Sequence, residues 1–101
     1  MSGLPIEAAA PADEPRDTRE RRLRMRSMRR GIKEMDLILQ DFATRRLAAM
    51  SDADLVLYDR LLSENDHDLY AWVAGTQPVP ERYGALVAEI AEGARGVTRP
   101  R

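Results

Sequence analysis

The chain has 101 residues, is 44% apolar and 33% charged, and carries five aromatic residues, no cysteine and a single histidine, so its length allows one small domain and hardly two. Folding at this size removes only about 65% of the unfolded chain's surface from water, which leaves little room for a deep substrate cavity inside its own scaffold and disfavours an enzyme. The missing cysteines exclude a disulfide framework, a thiolate zinc site and a cysteine nucleophile, and His67 stands alone with no G-x-S-x-G motif to support a Ser/His/Asp triad.

No stretch approaches the ~18 uninterrupted apolar residues of a membrane span, so a soluble protein without a membrane partner is expected. The first fifteen residues hold Glu7, Asp13 and Glu14 and no Arg or Lys. A signal peptide has a basic start and an apolar run, and a transit peptide avoids acids, so the expected location is cytoplasmic. Net charge is −1 but uneven: −3 over residues 1–15, +6 over 16–30, −7 over 31–92 and +3 over 93–101. Only Lys33 is lysine among sixteen basic residues, a bias that a GC-rich genome explains as readily as a need for bidentate contacts, and the genome is the simpler reading.

Residues 1–17 mix Pro5, Pro11 and Pro15 with Ala and acids, show no apolar period and read as a disordered tail. Thr18 is the expected cap of a short basic helix that includes Leu23, Met25 and Met28 and closes at Gly31. A second helix from Ile32 to Met50 places Met35, Ile38, Leu39 and Phe42 on one face, extended by Ala43 and Leu47. Ser51 followed by Asp52 and Asp54 marks the start of a third helix, with Leu55, Tyr58, Leu61 and Leu62 inward. Asp66 or Asp68 is the expected cap of a fourth, carrying Leu69, Trp72 and Val73 to a stop at Gly75. After TQPVP, Pro80 opens a last helix with Tyr83, Leu86, Val87, Ile90 and Ala91 on one face, which Gly93 and Gly96 dissolve.

The expectation is an all-α fold, a small five-helix bundle with disordered N- and C-terminal tails. Its parts are a tail over 1–17, a helical domain over 18–93 and a basic tail over 94–101. The expected core is Met35, Ile38, Leu39, Phe42, Leu55, Tyr58, Leu61, Leu62, Leu69, Trp72, Val73, Leu86, Val87 and Ile90. These residues suffice for one core and not for an added interface, so a monomer is expected.

The Arg16–Arg30 helix can be read as a nucleic-acid footprint, a partner-docking face or a solvated surface. No Phe, Tyr or Trp is interleaved for base stacking, and the acidic remainder repels a polyanion, so docking is preferred to nucleic acid. Its apolar residues are too few for membrane-surface anchoring. Glu64, Asp66 and Asp68 resemble the opening of a calcium loop, but the sixth position is Leu69 and the twelfth Gly75, and the match fails. Tyr58 and Trp72 read as core, whereas Tyr70 lies off the apolar stripe and faces solvent or a partner. Finally, Arg30, Gly31 and Glu34 stand at a helix junction. If the turn is helical, Arg30 and Glu34 project from one face beside a bare backbone; the plainer alternative is a helix break with a weak ion pair.

The run RRGIKEMDLIL, then LYDRLLSENDHDLYAWVAG, then a Pro-containing turn and an amphipathic helix, resembles the succinate dehydrogenase assembly factor family, whose bacterial branch is called FAD assembly factor SdhE. The likeness covers about Leu23 to Ile90, and the acidic start points to the bacterial branch. It implies a five-helix bundle that is not an enzyme and holds no cofactor stably. Its partner would be the flavoprotein subunit of succinate dehydrogenase, with fumarate reductase a further client in some members. Binding would favour the conformation in which a flavoprotein histidine becomes bonded covalently to FAD. The family signature falls on Arg30, Gly31 and Glu34, implying partner-binding roles: Gly31 for close approach, Arg30 and Glu34 for orienting charge. On this reading Gly31→Arg abolishes docking and leaves the monomer folded. The alternative is a small regulatory nucleic-acid binder of antitoxin type acting through the Arg16–Arg30 helix.

Overall fold

A computed structural model describes residues 14–98. In chain order the elements are α1 (Arg16–Arg26), α2 (Lys33–Arg46), a 3₁₀ turn (Leu47–Ala49), α3 (Asp52–Leu61), α4 (Asp66–Ala74), a second 3₁₀ turn (Glu81–Tyr83) and α5 (Gly84–Thr98). The architecture is the expected five-helix all-α one, with no strand among the described residues. Of the expected tails over 1–17 and 94–101, residues 1–13 and 99–101 lie outside those residues, while 16–17 and 94–98 are helical. No described helix is long and apolar enough to cross a membrane.

Local chemistry sets the helix ends. Ser51 Oγ accepts the Asp54 amide at 3.1 Å, with Asp52 and Asp54 in the first turn of α3 opposing its dipole. Gly75 ends α4 in the left-handed region at φ 81°, where a side chain would be strained. The α4 cap is Asn65, whose Oδ1 accepts the His67 amide at 2.8 Å. This corrects the expectation of Asp66 or Asp68, and the Asp66 carboxylate is occupied elsewhere, as described below.

Two helix boundaries depart further from expectation. Helix α1 starts at Arg16 rather than Thr18, with the Pro15 carbonyl accepting the Arg19 amide at 2.9 Å. It stops at Arg26, because the Ser27 hydroxyl turns back onto the Leu23 carbonyl at 2.7 Å and the left-handed Arg29 (φ 56°) redirects the chain. Helix α5 runs through Gly93 and Gly96 to Thr98 instead of dissolving there. Each glycine costs a helix about 1 kcal/mol relative to Ala, but Ile90 and Ala94 are buried on this helix and favour its continuation. Gly93 also lies so close to the Arg45 guanidinium that a Cβ would displace it.

Helix α2 lies at the centre and has its largest contact with α5, while α4 packs on both and α1 lies against α2 and α3. Every expected core residue is buried except Trp72 and Val73, which are half-buried at the edge of the core. The Trp72 ring packs on Tyr83 with centroids 5.8 Å apart, at the edge of a helix only nine residues long. Leu23, Ala43, Leu47, Met50, Tyr83 and Ala94 join the core. Tyr70, expected to face solvent or a partner, is half-buried against it.

Only Leu23 of α1 is buried, so apolar packing holds this helix weakly. Its C-terminal end is fixed by a polar pair in the interior: the Ser27 and Tyr58 hydroxyls lie 2.7 Å apart and both side chains are wholly buried. Because Ser27 gives its one proton to the Leu23 carbonyl, Tyr58 is the donor to Ser27 Oγ. Burial pushes the Tyr58 phenol up to about 12. The folded state therefore retains a proton that an unfolded tyrosine loses near pH ~10. This contribution is full below that pH and is lost as pH rises towards the folded value. Urea unfolding of Tyr58→Phe should show a loss of about 1 kcal/mol at neutral pH, with a smaller further loss than wild type above pH ~10.

Candidate functional site: an arginine ladder and a bare turn

Arg16, Arg22 and Arg26 of α1 and Arg30 of the turn after it meet the chain's own acceptors. The Arg16 guanidinium donates to Glu20 at 2.7 Å, to Asp52 at 3.0 Å and to the Met50 carbonyl at 2.6 Å. Arg22 donates to Glu14 at 2.8 Å and to both Asp59 oxygens at 2.8 and 3.1 Å. Those two carboxylates, Glu14 foremost, hold the Arg22 guanidinium above its ordinary value. Arg22 in turn leads in lowering the Glu14 carboxyl, with Arg19 adding to it against the opposing effect of burial. Arg26 pairs with the buried Asp59 and donates to its carbonyl at 3.0 Å and to Ser63 Oγ at 2.9 Å.

Arg30 completes the ladder. Its Nε donates to Asp66 Oδ1 at 2.9 Å, one Nη to the Arg26 carbonyl at 2.8 Å and the other to the Leu62 carbonyl at 2.9 Å. One guanidinium thus closes the C-terminal ends of α1 and α3, where positive charge is favoured. The second Asp66 oxygen accepts the Gly31 amide at 2.7 Å, so a carboxylate at the start of α4 fixes two consecutive residues of the turn. A lysine cannot reach three divergent acceptors with a planar fork. The arginine bias read as genomic is therefore put to structural use at Arg16, Arg22, Arg26 and Arg30.

The expected helical Arg30–Glu34 pair is absent from the structure, because the turn before α2 is irregular and Arg30 is drawn to Asp66. Glu34 instead lies exposed in the first turn of α2, where its charge opposes the helix dipole. Gly31 is also exposed, between the two, and its φ is not positive. A Cβ there would stand 2.9 Å from Asp66 Oδ2, so the close approach it permits is first that of the chain's own carboxylate. Met28, Arg29, Arg30 and Gly31 border an open depression of about 420 Å³ together with Leu62 and Ser63.

Asp66 is the residue of this site that sequence reasoning missed. It lies 35 residues from Gly31, and no local spacing signals the contact. Among the described residues no group of three or more His, Asp or Glu side chains could hold a metal ion. Asp66→Ala should leave the helices intact while the Gly31 amide exchanges with solvent at least about tenfold faster, a difference of roughly 1.4 kcal/mol in local opening that amide exchange measures directly.

Comparison with known proteins places this turn in a wider context. A family model described as flavinator of succinate dehydrogenase matches residues 21–94. Among curated proteins, the chain is 39% identical over 91 residues to a mitochondrial succinate dehydrogenase assembly factor 2 of Drosophila virilis, covering 87% of this chain and 58% of the relative. Identity to the protein of the same name from Meyerozyma guilliermondii is 40% over 85 residues, covering 81% and 63%, and to that from Danio rerio 41% over 81 residues, covering 78% and 51%. The chain thus spans about half to two thirds of the length of these relatives. They are named mitochondrial, which overturns the expected cytoplasmic location. That expectation rested on the acidic first residues, whereas an address is a separable segment that the folded domain does not encode. The relatives are eukaryotic and give no support to a bacterial branch. With the family model reaching from within α1 to within α5 and the Arg30–Gly31–Glu34 turn inside the matched span, the chain belongs to the succinate dehydrogenase flavinator family.

Proposed function

We infer that this chain is an assembly factor that binds the flavoprotein subunit of succinate dehydrogenase and promotes its covalent FAD attachment. The observation that carries the reading is a family match spanning residues 21–94, which includes an exposed turn held in place before any partner arrives. Arg30 is fixed by three acceptors and Gly31 by one, so little conformational entropy remains to be lost when a partner docks there. In this reading Gly31 is a flat point of contact, Glu34 offers an exposed carboxylate beside it, and Arg30 sets the shape of the turn as well as its charge.

The chemistry belongs to the partner and its flavin. The assembly factor contributes differential affinity: by binding the attachment-competent conformation more tightly than others, it raises that conformation's population. It needs no nucleophile of its own and no stably held cofactor. The nucleic-acid alternative is weakened because Arg16, Arg22, Arg26 and Arg30 are all turned towards the chain's own carboxylates.

The test is to mix purified apo flavoprotein and FAD with or without the full chain, denature, and read covalent flavin fluorescence on the flavoprotein. Wild type should raise the signal, and Glu34→Ala and Gly31→Arg should lower it by tenfold or more, a loss expected from removing a docking contact worth roughly 1.4 kcal/mol or more. Circular dichroism of each variant confirms that the helices remain. An unchanged signal with wild type contradicts the reading.

A further inference from the structure

Arg29 differs from the arginines around it in two ways. It is the single non-glycine residue with positive φ among the described residues, at 56°, in a region where a Cβ crowds the following carbonyl. It is also exposed, with no hydrogen-bond or ion-pair partner among the described residues, whereas Arg26 and Arg30 on either side are bound to Asp59 and Asp66. A glycine would adopt this conformation without strain, and the glycine two positions on does not use it. The strained position therefore carries a side chain that does nothing for the fold.

Its surroundings indicate what the side chain is for. Arg29 borders the same open depression as Gly31, beside Met28, which is 42% exposed. An uncompensated guanidinium next to exposed apolar surface suits a protein surface with a carboxylate on it, since a planar fork takes a carboxylate bidentately. Strained backbone clusters at functional sites, which makes an exposed strained residue a candidate for one.

We propose that Arg29 is a further docking residue, whose guanidinium takes a carboxylate on the surface of the flavoprotein subunit. This inference rests on the assembly-factor reading above. The left-handed backbone aims the side chain outward while Arg30, one residue on, points back to Asp66. Stability and docking thus make opposite demands on position 29.

The experiment compares Arg29→Gly, Arg29→Ala and wild type in the full chain, reading the urea midpoint and the Kd for the purified flavoprotein by calorimetry. Glycine relieves the strain and should raise the midpoint; alanine keeps the strain and should leave it near wild type. Both should weaken binding by tenfold or more, and Arg29→Lys should retain part of the affinity. Wild-type binding that neither Gly nor Ala diminishes overturns the role of Arg29 alone. A loss with glycine but not alanine also overturns it, because flexibility and not the guanidinium would then matter. Absence of binding by wild type overturns the assembly-factor reading, and this inference with it.

Discussion

Two carboxylates, Asp59 on α3 and Asp66 at the start of α4, hold α1 and the turn after it in place. Helix α1 buries one leucine, too little apolar surface to fix its position. Asp59 binds Arg22 and Arg26, and Asp66 binds Arg30 and the Gly31 amide. Asp59 is buried and Asp66 partly so, and either would be costly without its partners. Arg26 and Arg30 in turn satisfy backbone carbonyls as well as a carboxylate, and Arg22 bridges two carboxylates, so the ladder is a joint between helices and not a row of surface ion pairs of negligible value. The turn from Met28 to Gly31 inherits its shape from that joint.

The helices and most of the core were legible because they rest on local signals. The three-and-four spacing from Met35 to Phe42, the Ser51 cap and the Gly75 stop are all written within a few residues of where they act, and the structure contains them. What failed depends on contacts distant in sequence. Helix α1 ends at Arg26, where the Ser27 hydroxyl that turns back onto Leu23 is also held by Tyr58 of α3 and Arg30 is drawn to Asp66 of α4. Helix α5 survives two glycines because it is buried against α2. Asn65 caps α4 because Asp66 is drawn off by Arg30 and Gly31. Tertiary packing overrides local propensity in each case.

The candidate site was only half readable for the same reason. The residues Arg30, Gly31 and Glu34 stand out in the sequence, yet their arrangement does not. A helical turn would have paired Arg30 with Glu34; the irregular turn separates them, giving Arg30 to the fold and leaving Glu34 and Gly31 exposed. The charge asymmetry of the chain acquires a meaning as well. Arg16, Arg22, Arg26 and Arg30 of the +6 segment pair with Asp52, Asp59 and Asp66 of the acidic remainder, so the two oppositely charged parts of the chain attract each other within the fold. Under the proposed function, a preorganised turn on a small scaffold is a suitable tool: binding energy would go into selecting the partner's conformation instead of ordering the factor itself.

The most direct measurement is a double-mutant cycle on Arg30 and Asp66, with the rate of covalent flavin attachment to the flavoprotein as the readout. If Asp66 acts by holding Arg30 and the turn in the docking geometry, Arg30→Ala and Asp66→Ala each slow attachment and the double variant is no slower than the slower single one. Effects that multiply, or an Asp66→Ala protein that is folded and as active as wild type, would contradict a turn whose function depends on the ladder.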